Sequence, residues 1–268
     1  MTSAKQLVKN CFAAFGLELR KKPLRTVARA SMRGALRQLS SLGFQPATVI
    51  DAGVATQTLE LYEEFKASHF LLIEPLAEFE PFLQKICSTF NAQYVLAAAG
   101  QAPGTAAFNV HADKVSSSLL HEVEGAAVDG TPRTVPVVSL DQLAAEKNLS
   151  GPFLIKLDVQ GAELQVLAGA TRTLQQTEVV MLEGTLFATM IGGPQLYDLV
   201  THMKDLGFVV YDLYPILYRP LDNALAQVDM LFVREHGPFR QSHAYATPEQ
   251  RKALDRQLDP LLAEAHKK

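Results

Sequence analysis

Short apolar segments alternate with amphipathic segments along most of the chain, and this alternation limits the fold more than any other feature. Apolar, β-branched runs of about four to eight residues are typical of buried strands, and the segments between them have helical periodicity. Buried strands joined by helices form a parallel sheet that is covered on both faces. The first predicted strand lies in ATVIDAG (residues 47–53), which ends in a tight turn, and the others cover residues 69–75, 92–99, 153–158, 178–183, 208–213 and 228–233. Two further strands are predicted over residues 106–110 and 134–138, around a polar loop, and residues 162–174 are predicted to form a helix.

The last two predicted strands follow each other without a clear helical segment between them. Strands joined in this way form an antiparallel hairpin. We therefore predict an α/β fold with a Rossmann-like, seven-stranded, mostly parallel sheet that ends in an antiparallel hairpin. Residues 46–235 would form this domain, between a basic helical extension over residues 1–45 and a helical tail over residues 236–268.

The composition excludes several classes of protein. The chain has 268 residues, of which 48% are hydrophobic and 20% are charged, so it is neither intrinsically disordered nor collagen-like. Its two cysteines, Cys11 and Cys87, have no metal-binding spacing and form no disulfide framework, so we expect a reducing compartment, the cytoplasm. No apolar run approaches the ~18 residues of a membrane-spanning helix.

The first 45 residues are strongly basic, whereas the remainder of the chain is acidic. They hold nine lysines and arginines against a single acid, Glu18. We expect this arm to be retained rather than removed as a mitochondrial targeting peptide, which has a similar composition. A helix predicted over residues 23–39 carries a basic stripe of residues spaced by four: Arg25, Arg29, Arg33 and Arg37.

The basic stripe has two interpretations that the sequence leaves open. It is either a solvated or docked helix face, or a contact surface for an anionic partner. If the substrate is a glycolipid, the stripe would give peripheral contact with an anionic membrane. No nucleic-acid-binding motif accompanies the stripe, so nucleic acid is not expected as a partner, and the sequence does not indicate an oligomeric state.

Open α/β sheets bind ligands beyond the carboxyl ends of their strands, so residues at these ends are the candidates for a site. Asp51 lies at the end of the first strand, and Glu74 ends the second strand 23 residues later. A carboxylate in the position of Glu74 can accept hydrogen bonds from both hydroxyls of a ribose. We therefore predict that Glu74 binds the ribose of a nucleoside cofactor.

The turn after the first strand distinguishes between cofactor classes. Dinucleotide-binding turns read G-x-G-x-x-G, whereas DAGVATQ (residues 51–57) has one glycine and places an aspartate where phosphates would approach. This turn disfavours a nicotinamide-dependent enzyme and suits S-adenosylmethionine (SAM), whose ammonium group would meet Asp51 directly or through water. The SAM carboxylate would meet backbone amides. The predicted cofactor-binding residues are Asp51, Gly53, Val54, Ala55, Gln57, Thr58, Glu74, Gly100, Ser117 and Asp158.

If SAM binds there, an acceptor hydroxyl would have to be aligned with its methyl group and would have to lose a proton. Asp158 ends the fourth strand and is a candidate for the group that takes this proton, with capping of the following helix as the alternative role. Mg²⁺ held by Asp158 and Glu163 has little support from their spacing. Two histidines flank a serine-rich loop that we expect to overhang the site. The predicted catalytic residues are Asp158, Glu163, His111 and His121, with Glu183 as a further candidate base.

Several segments between about residues 40 and 235 match one enzyme family in their order and spacing. They are VIDAGVATQTLELYEEF, LLIEPLAEFEPFL, SSLL, VPVVSLDQL, KLDVQGAELQVLAGA, VVMLEGTLF and QVDMLFVRE. Through these segments the chain resembles the FkbM-type SAM-dependent methyltransferases. A parallel sheet that ends in an antiparallel hairpin is also typical of methyltransferases.

The resemblance implies bound SAM and methyl transfer to a hydroxyl oxygen of a polyketide, sugar or glycolipid. One residue departs from the family, which usually has a second glycine at the position of Gln57. A protein that binds SAM or a partner without turnover is therefore the alternative. By position, the cofactor residues of the family correspond to Asp51, Gly53 and Glu74, its methyl-transfer centre to Asp158 and Glu163, and a loop near the site to Ser117 and Ser118.

Overall fold

The computed structural model describes residues 29–265, and their side chains as far as residue 256. Residues 29–242 form one compact unit. Residues 243–265 belong to a second unit. Cys11 and the first part of the predicted N-terminal helix, residues 23–28, lie outside the described residues.

The strands of the larger unit form two sheets. The main sheet is seven-stranded and mostly parallel, and its last strand pairs are antiparallel, which confirms the predicted fold class. The strands are β1 (Thr48–Ala52), β2 (His69–Ile73), β3 (Ala92–Val95), β4 (Ala98–Ala99), β5 (Gly104–Val110), β6 (Thr131–Val138), β7 (Phe153–Leu157), β8 (Thr177–Thr185), β9 (Phe208–Tyr218) and β10 (Leu225–Arg234). Their order is β3-β2-β1-β7-β8-β10-β9 in the main sheet and β4-β6-β5 in the second.

Helices cover both faces of the main sheet. They are α1 (Met32–Ser41), α2 (Leu59–Glu64), α3 (Glu80–Thr89), α4 (Leu140–Glu146), α5 (Glu163–Ala168), α6 (Thr171–Gln175) and α7 (Leu196–Asp205). The first three pack on one face in a core that includes Leu36 and Phe70, both fully buried. The other four pack on the opposite face around Leu140 and Met203. Burial of these apolar faces against the sheet drives the three-layer arrangement.

The helix predicted over residues 23–39 begins later than expected within the described residues. The residues from Arg29 to Ser31 are not helical, so this part of the prediction is wrong. Ser31 is extended, and its Oγ accepts a hydrogen bond from the Gly34 amide at 3.2 Å. This side-chain cap starts α1 at Met32, because it satisfies an amide that has no partner inside the helix.

The described arginines of the basic stripe contact carboxylates of the same unit. Such pairs neutralise the stripe locally, whereas exposed ion pairs by themselves contribute little to stability. Their geometry favours the interpretation of the stripe as a docked helix face. The pairs are Arg29 with Asp212, Arg33 with Glu63 at 2.9 Å, and Arg37 with Glu64 at 3.7 Å.

The third predicted strand, residues 92–99, is not one strand, and this prediction is wrong. Its first half is β3 of the main sheet, and its second half is β4 of the second sheet. The chain turns between them where the Ala97 amide bonds to the Glu74 carbonyl at 3.1 Å. The remaining strands of the second sheet, β5 and β6, pair in antiparallel fashion and contain the two strands predicted over residues 106–110 and 134–138.

A single helix was expected over residues 162–174, but the segment divides into α5 and α6 at Gly169. A Cβ atom on Gly169 would lie 2.4 Å from the Gly100 carbonyl oxygen, so the absence of a side chain at Gly169 allows this close backbone approach. The Asp141 carboxylate caps α6 by accepting hydrogen bonds from the amides of Arg172 at 3.0 Å and Thr173 at 2.7 Å. That cap stabilises a new helix start, as N-terminal carboxylates generally do.

The second unit contains α8 (Pro248–Ala265). The Gln250 amide donates to Thr247 Oγ at 3.2 Å, and the Thr247 amide donates to Gln250 Oε1 at 2.8 Å. This reciprocal pair is a capping box. Within the described part of the chain, no helix combines the length and the apolar character needed to cross a bilayer.

Candidate active site

A cavity of about 480 Å³ lies at the carboxyl ends of β1, β2 and β7. Its walls are formed by the turn after β1 (residues 53–58), by Glu74 after β2, and by the segment after β7 from Asp158. Residues 114–117 of the segment between β5 and β6 also line it. The volume falls within the range of roughly 300–1,000 Å³ that is usual for small-molecule sites. The position is the one at which open α/β sheets bind ligands.

The turn after β1 requires glycine at position 53. Gly53 has a φ of +80°, and a Cβ atom there would lie 1.8 Å from the Asp158 carbonyl oxygen. Its amide donates to the Ile73 carbonyl at 2.9 Å, which ties the turn to the end of β2. The turn is therefore held against both neighbouring strands, and its backbone forms one wall of the cavity.

Glu74 lines the cavity although it is largely buried, with 4% of its surface exposed. Its Oε2 accepts a hydrogen bond from the Ala55 amide and its Oε1 accepts one from the Leu76 amide, both at 2.9 Å. Burial raises the pKa of this carboxyl, while the two amides act against the shift. Each oxygen retains a second lone pair, which is the capacity that two ribose hydroxyls require.

Asp51 lies beneath the cavity rather than on its wall. The residue is fully buried, and its Oδ2 accepts a hydrogen bond from the Tyr62 hydroxyl at 2.6 Å. Its Oδ1 accepts one from Lys156 Nζ at 3.2 Å. Burial, followed by the charge of Asp51, raises the pKa of Tyr62 well above its usual value. The predicted contact between Asp51 and an ammonium group therefore stays a prediction, since both carboxylate oxygens already have protein partners.

Lys156 lines the cavity and was not predicted as a site residue. Its Nζ lies 3.2 Å from Asp51 Oδ1 and 3.5 Å from Asp158 Oδ2. Burial acts to lower the pKa of this amine, but the charges of Asp51 and Asp158 outweigh it and the pKa is raised. The sequence did contain a sign of this role, because Lys156 is the one charged residue in the apolar strand FLIKL. A buried charge is costly without a partner of opposite charge.

Asp158 lines the cavity and has polar partners on both carboxylate oxygens. Its Oδ1 accepts a hydrogen bond from Gln160 Nε2 at 2.9 Å. Gln160 has a φ of +51°, and its carbonyl accepts a hydrogen bond from Ser118 Oγ at 2.6 Å. The next helix, α5, starts without a side-chain cap, so the alternative role of Asp158 as a helix cap was wrong. Asp158 instead belongs to the wall of the cavity.

Three further carboxyl groups lie close to Asp158. Glu183 lines the main cavity, and Asp229 is its direct neighbour in the pairing of β10 with β8. Burial raises the pKa of Glu183 to about 8 and that of Asp229 to about 6. Glu163 is buried beside a second cavity of about 20 Å³, and burial raises its pKa to about 7. Burial therefore disfavours the charged carboxylate forms in this part of the molecule.

The structure brings the two predicted histidines, His111 and His121, close to each other, but outside the lining of the cavity. Neither His111 nor His121 lines the main cavity. His121 is exposed and bonds to Asp129, and the buried His111 lies 3.9 Å from the same carboxylate. The His111 amide donates to Ser117 Oγ at 3.0 Å, so this cluster supports the segment that lines the cavity.

Most of the predicted cofactor residues line the main cavity. The exceptions are Asp51 and Gly100. The Gly100 amide donates to the Val138 carbonyl at 2.9 Å, and a Cβ atom at Gly100 would approach Val137 to 2.7 Å, so this residue serves packing of the second sheet. The predicted cofactor residues that line the cavity are Gly53, Val54, Ala55, Gln57, Thr58, Glu74, Ser117 and Asp158.

Among the residues that the structure describes, no group of three or more histidine, cysteine or acidic side chains has the geometry of a metal site. The hydrogen-bonding groups that line the cavity suit an organic ligand. Glu74 offers free lone pairs, and the amide of Thr56 has no hydrogen-bond acceptor within the described part of the chain. A nucleoside with an amino-acid group fits this combination of acceptors and donors.

Comparisons with known proteins identify the family. The sequence profile of the Methyltransferase FkbM domain matches residues 51–210. A search of curated proteins gave no match. The solved structures that the chain resembles include a precorrin-6y C5,15-methyltransferase from Geobacter metallireducens (15% identity, 79% of this chain and 91% of that chain covered, TM-score 0.40). They also include a putative RNA methyltransferase from Pyrococcus horikoshii (14% identity, 85% and 98% covered, TM-score 0.41).

A third structure, the magnesium protoporphyrin IX methyltransferase from Synechocystis, is 10% identical with 87% of this chain and 98% of that chain covered and a TM-score of 0.42. Likenesses at these scores do not inform the function of the chain. The profile match does, because it spans more than half of the chain and contains the turn after β1, Glu74 and the segment after β7. The chain belongs to the FkbM family of SAM-dependent methyltransferases.

Proposed function

We propose that the protein binds SAM in the main cavity and transfers its methyl group to a hydroxyl oxygen of a small organic acceptor. The single observation that carries this proposal is the cavity itself, with the turn after β1 and Glu74 on one side and a group of carboxylates on the other. Sugars, glycolipids and polyketide-like alcohols are the acceptor classes that the family resemblance favours.

The cofactor half is formed by the turn at residues 53–58 and by Glu74. Glu74 would accept hydrogen bonds from the two ribose hydroxyls, because each of its oxygens has one lone pair left. The unpaired amide of Thr56 would donate to the carboxylate of the methionine part. When it is bound, SAM supplies an electrophilic methyl group on a sulfonium centre.

The acceptor half has to align a hydroxyl, exclude water and remove a proton. Alignment supplies much of the rate in a displacement of this kind, because it converts an encounter in solution into a reaction within one complex. The segment 114–117 lines the cavity and would limit the access of water. Asp158 and Glu183 provide carboxylate oxygens in the same half, where a proton can be held.

Calorimetric titration with SAM and S-adenosylhomocysteine (SAH) tests the cofactor assignment. We expect micromolar binding to the wild-type protein and a loss of about 10- to 100-fold in Glu74→Gln, because hydrogen bonds to a charged partner are removed. Glu78→Gln is the matched control, since Glu78 pairs with Arg133 and does not line the cavity. Absence of binding to the wild-type protein would overturn the proposal.

A methyl-transfer screen then tests the reaction. Labelled SAM is incubated with the protein and with sugars, glycolipids and polyketide alcohols, and label in an ether product is measured. Tight SAH binding without product across the panel would instead support a protein that binds SAM without turnover. Gln57 is the residue that motivates this second outcome, because its side chain lies in the cavity wall where the family usually has glycine.

A further inference from the structure

The carboxylates of the acceptor half follow the edge of the main sheet. Asp158 comes directly after β7, and Glu183 lies in the neighbouring strand β8. Asp229 of β10 pairs with Glu183 in the register of the sheet. Asp158 and Glu183 line the main cavity, whereas Asp229 does not. A hydroxyl bound in this half therefore faces two candidate bases.

The two candidates differ in their partners. Asp158 has Lys156 Nζ at 3.5 Å and Gln160 Nε2 at 2.9 Å, so each of its oxygens already faces a donor. No described residue donates a hydrogen bond to the Glu183 carboxylate. A base needs a lone pair that is free to meet the hydroxyl proton. On this criterion Glu183 is better placed than Asp158.

The pKa of Glu183 also favours its role as the base. Burial raises the pKa of Glu183 to about 8. The negative charges of Asp158, Asp229 and Glu163 raise this pKa further, whereas the positive charge of Lys156 lowers it. A base is most effective when its pKa lies near the working pH, because it is then both available and able to hold the proton. Glu183 meets this condition close to neutral pH.

Glu183 also has a route by which a proton can leave. It lines the second cavity of about 20 Å³ as well as the main one, and Glu163 lies on the wall of that second cavity. A space of this size holds about one water molecule. Glu183 therefore stands between the main cavity and a small polar space that contains another group able to carry a proton.

We propose that Glu183 is the catalytic base, whereas Asp158, held by Lys156 and Gln160, orients the hydroxyl. This assignment rests on the proposed function. Glu183 takes the proton as the hydroxyl oxygen forms its bond to the methyl carbon, and the carbon–sulfur bond breaks with its electron pair staying on sulfur. The ether and SAH are the products, and the proton is released from Glu183 to solvent.

The test uses SAM and SAH binding, so it needs no known acceptor. An ionised base close to the methyl group attracts the sulfonium of SAM but not the neutral sulfur of SAH. Calorimetry between pH 6.5 and 9.5 gives the preference for SAM over SAH at each pH. The amino groups of both ligands titrate in the same way with every variant, so the difference between wild type and Glu183→Gln isolates the contribution of the protein.

We expect the preference for SAM in the wild-type protein to exceed that in Glu183→Gln by about tenfold above pH 8, and this excess to vanish near pH 6.5. Glu60→Gln is the matched control, because it removes a carboxylate from the cofactor side of the same cavity. In Glu60→Gln, the preference for SAM over SAH should depend on pH as it does in the wild-type protein. A preference that is unchanged in Glu183→Gln would overturn the assignment.

Asp229→Asn gives an independent readout if Glu183→Gln does not fold. Removal of the neighbouring negative charge should lower the pH at which the preference for SAM develops, since Asp229 helps to raise the pKa of Glu183. An unshifted midpoint would overturn the assignment. If the wild-type protein binds SAM but neither variant changes the preference for SAM, only the role of Glu183 is refuted. If the wild-type protein binds neither SAM nor SAH, the proposed function itself is refuted.

Discussion

Glu163 makes the stability of the protein depend on pH in a direction opposite to that of an ion-paired acid. The residue is 3% exposed, and burial raises its pKa from 4.5 to about 7. The folded state therefore binds a proton that the unfolded state releases between about pH 4.5 and pH 7. In this window the free energy of unfolding must fall as the pH rises, because the charged form is stabilised in the unfolded chain.

The size of the effect follows from the shift. One pKa unit corresponds to about 1.4 kcal/mol, so the shift of Glu163 lowers the free energy of unfolding by about 3 kcal/mol at pH 8 relative to pH 4.5. Glu163→Gln removes the ionisation and keeps the shape, and its oxygen can still accept the hydrogen bond that the Gly161 amide donates at 3.2 Å. The variant should therefore lie within about 1 kcal/mol of the wild type at pH 5 and exceed its stability by about 3 kcal/mol at pH 8.

Urea unfolding at pH 5 and pH 8, followed by circular dichroism, measures this difference. Glu124→Gln is the matched control, because the same charge is removed at an exposed position and surface substitutions change stability little. A stability difference between Glu163→Gln and the wild type that is equal at both pH values would refute the reasoning. The same conclusion would follow if the wild type gained stability relative to the variant as the pH rose.

Three further substitutions test the architecture around the site. Gly53→Ala directs a methyl group at the Asp158 carbonyl from a residue with positive φ, so it should cost at least about 3 kcal/mol in urea unfolding and abolish SAH binding. Lys156→Met leaves buried carboxylate charge without its cation and should cost about 3–5 kcal/mol, whereas a neutral effect would contradict the proposed pairing. Leu36→Ala, in the core between α1 and the sheet, should cost about 2–5 kcal/mol, in contrast to the exposed Leu42→Ala.

The sequence was sufficient to predict the elements whose signal is local. The alternation of apolar and amphipathic segments predicts the main sheet, and residues at strand ends predict the cavity wall at Gly53, Glu74 and Asp158. These predictions succeed because parallel strands bring their carboxyl ends to one edge, whatever the details of packing. The boundaries that failed were set by single contacts, such as the cap at Ser31 and the glycine contact at Gly169.

Contacts between segments that are far apart in the chain could not be predicted from the sequence. Asp51 and Lys156 are 105 residues apart in the chain, and their pairing depends on the register of β1 with β7. The sequence therefore predicts that Asp51 meets the ammonium group directly or through water, but it gives no sign that both carboxylate oxygens also have protein partners. The location of His111 beside the cavity wall likewise depends on how the segment between β5 and β6 folds back.

Lys156 explains how one cavity can hold two different chemical environments. The period of the strand directs it to the same face as Leu154, which belongs to the apolar core beneath α1–α3. A cation there is stable only because Asp51 and Asp158 lie within 3.5 Å of it. Those two carboxylates therefore have a cation within reach, whereas burial raises the pKa of Glu183 and of Asp229 and disfavours their charged forms. The cavity thus has an ion-paired region between β1 and β7 and a region along β8 where a carboxyl group gains or loses its proton close to neutral pH, which is the separation that the proposed transfer of a methyl group to a hydroxyl would use.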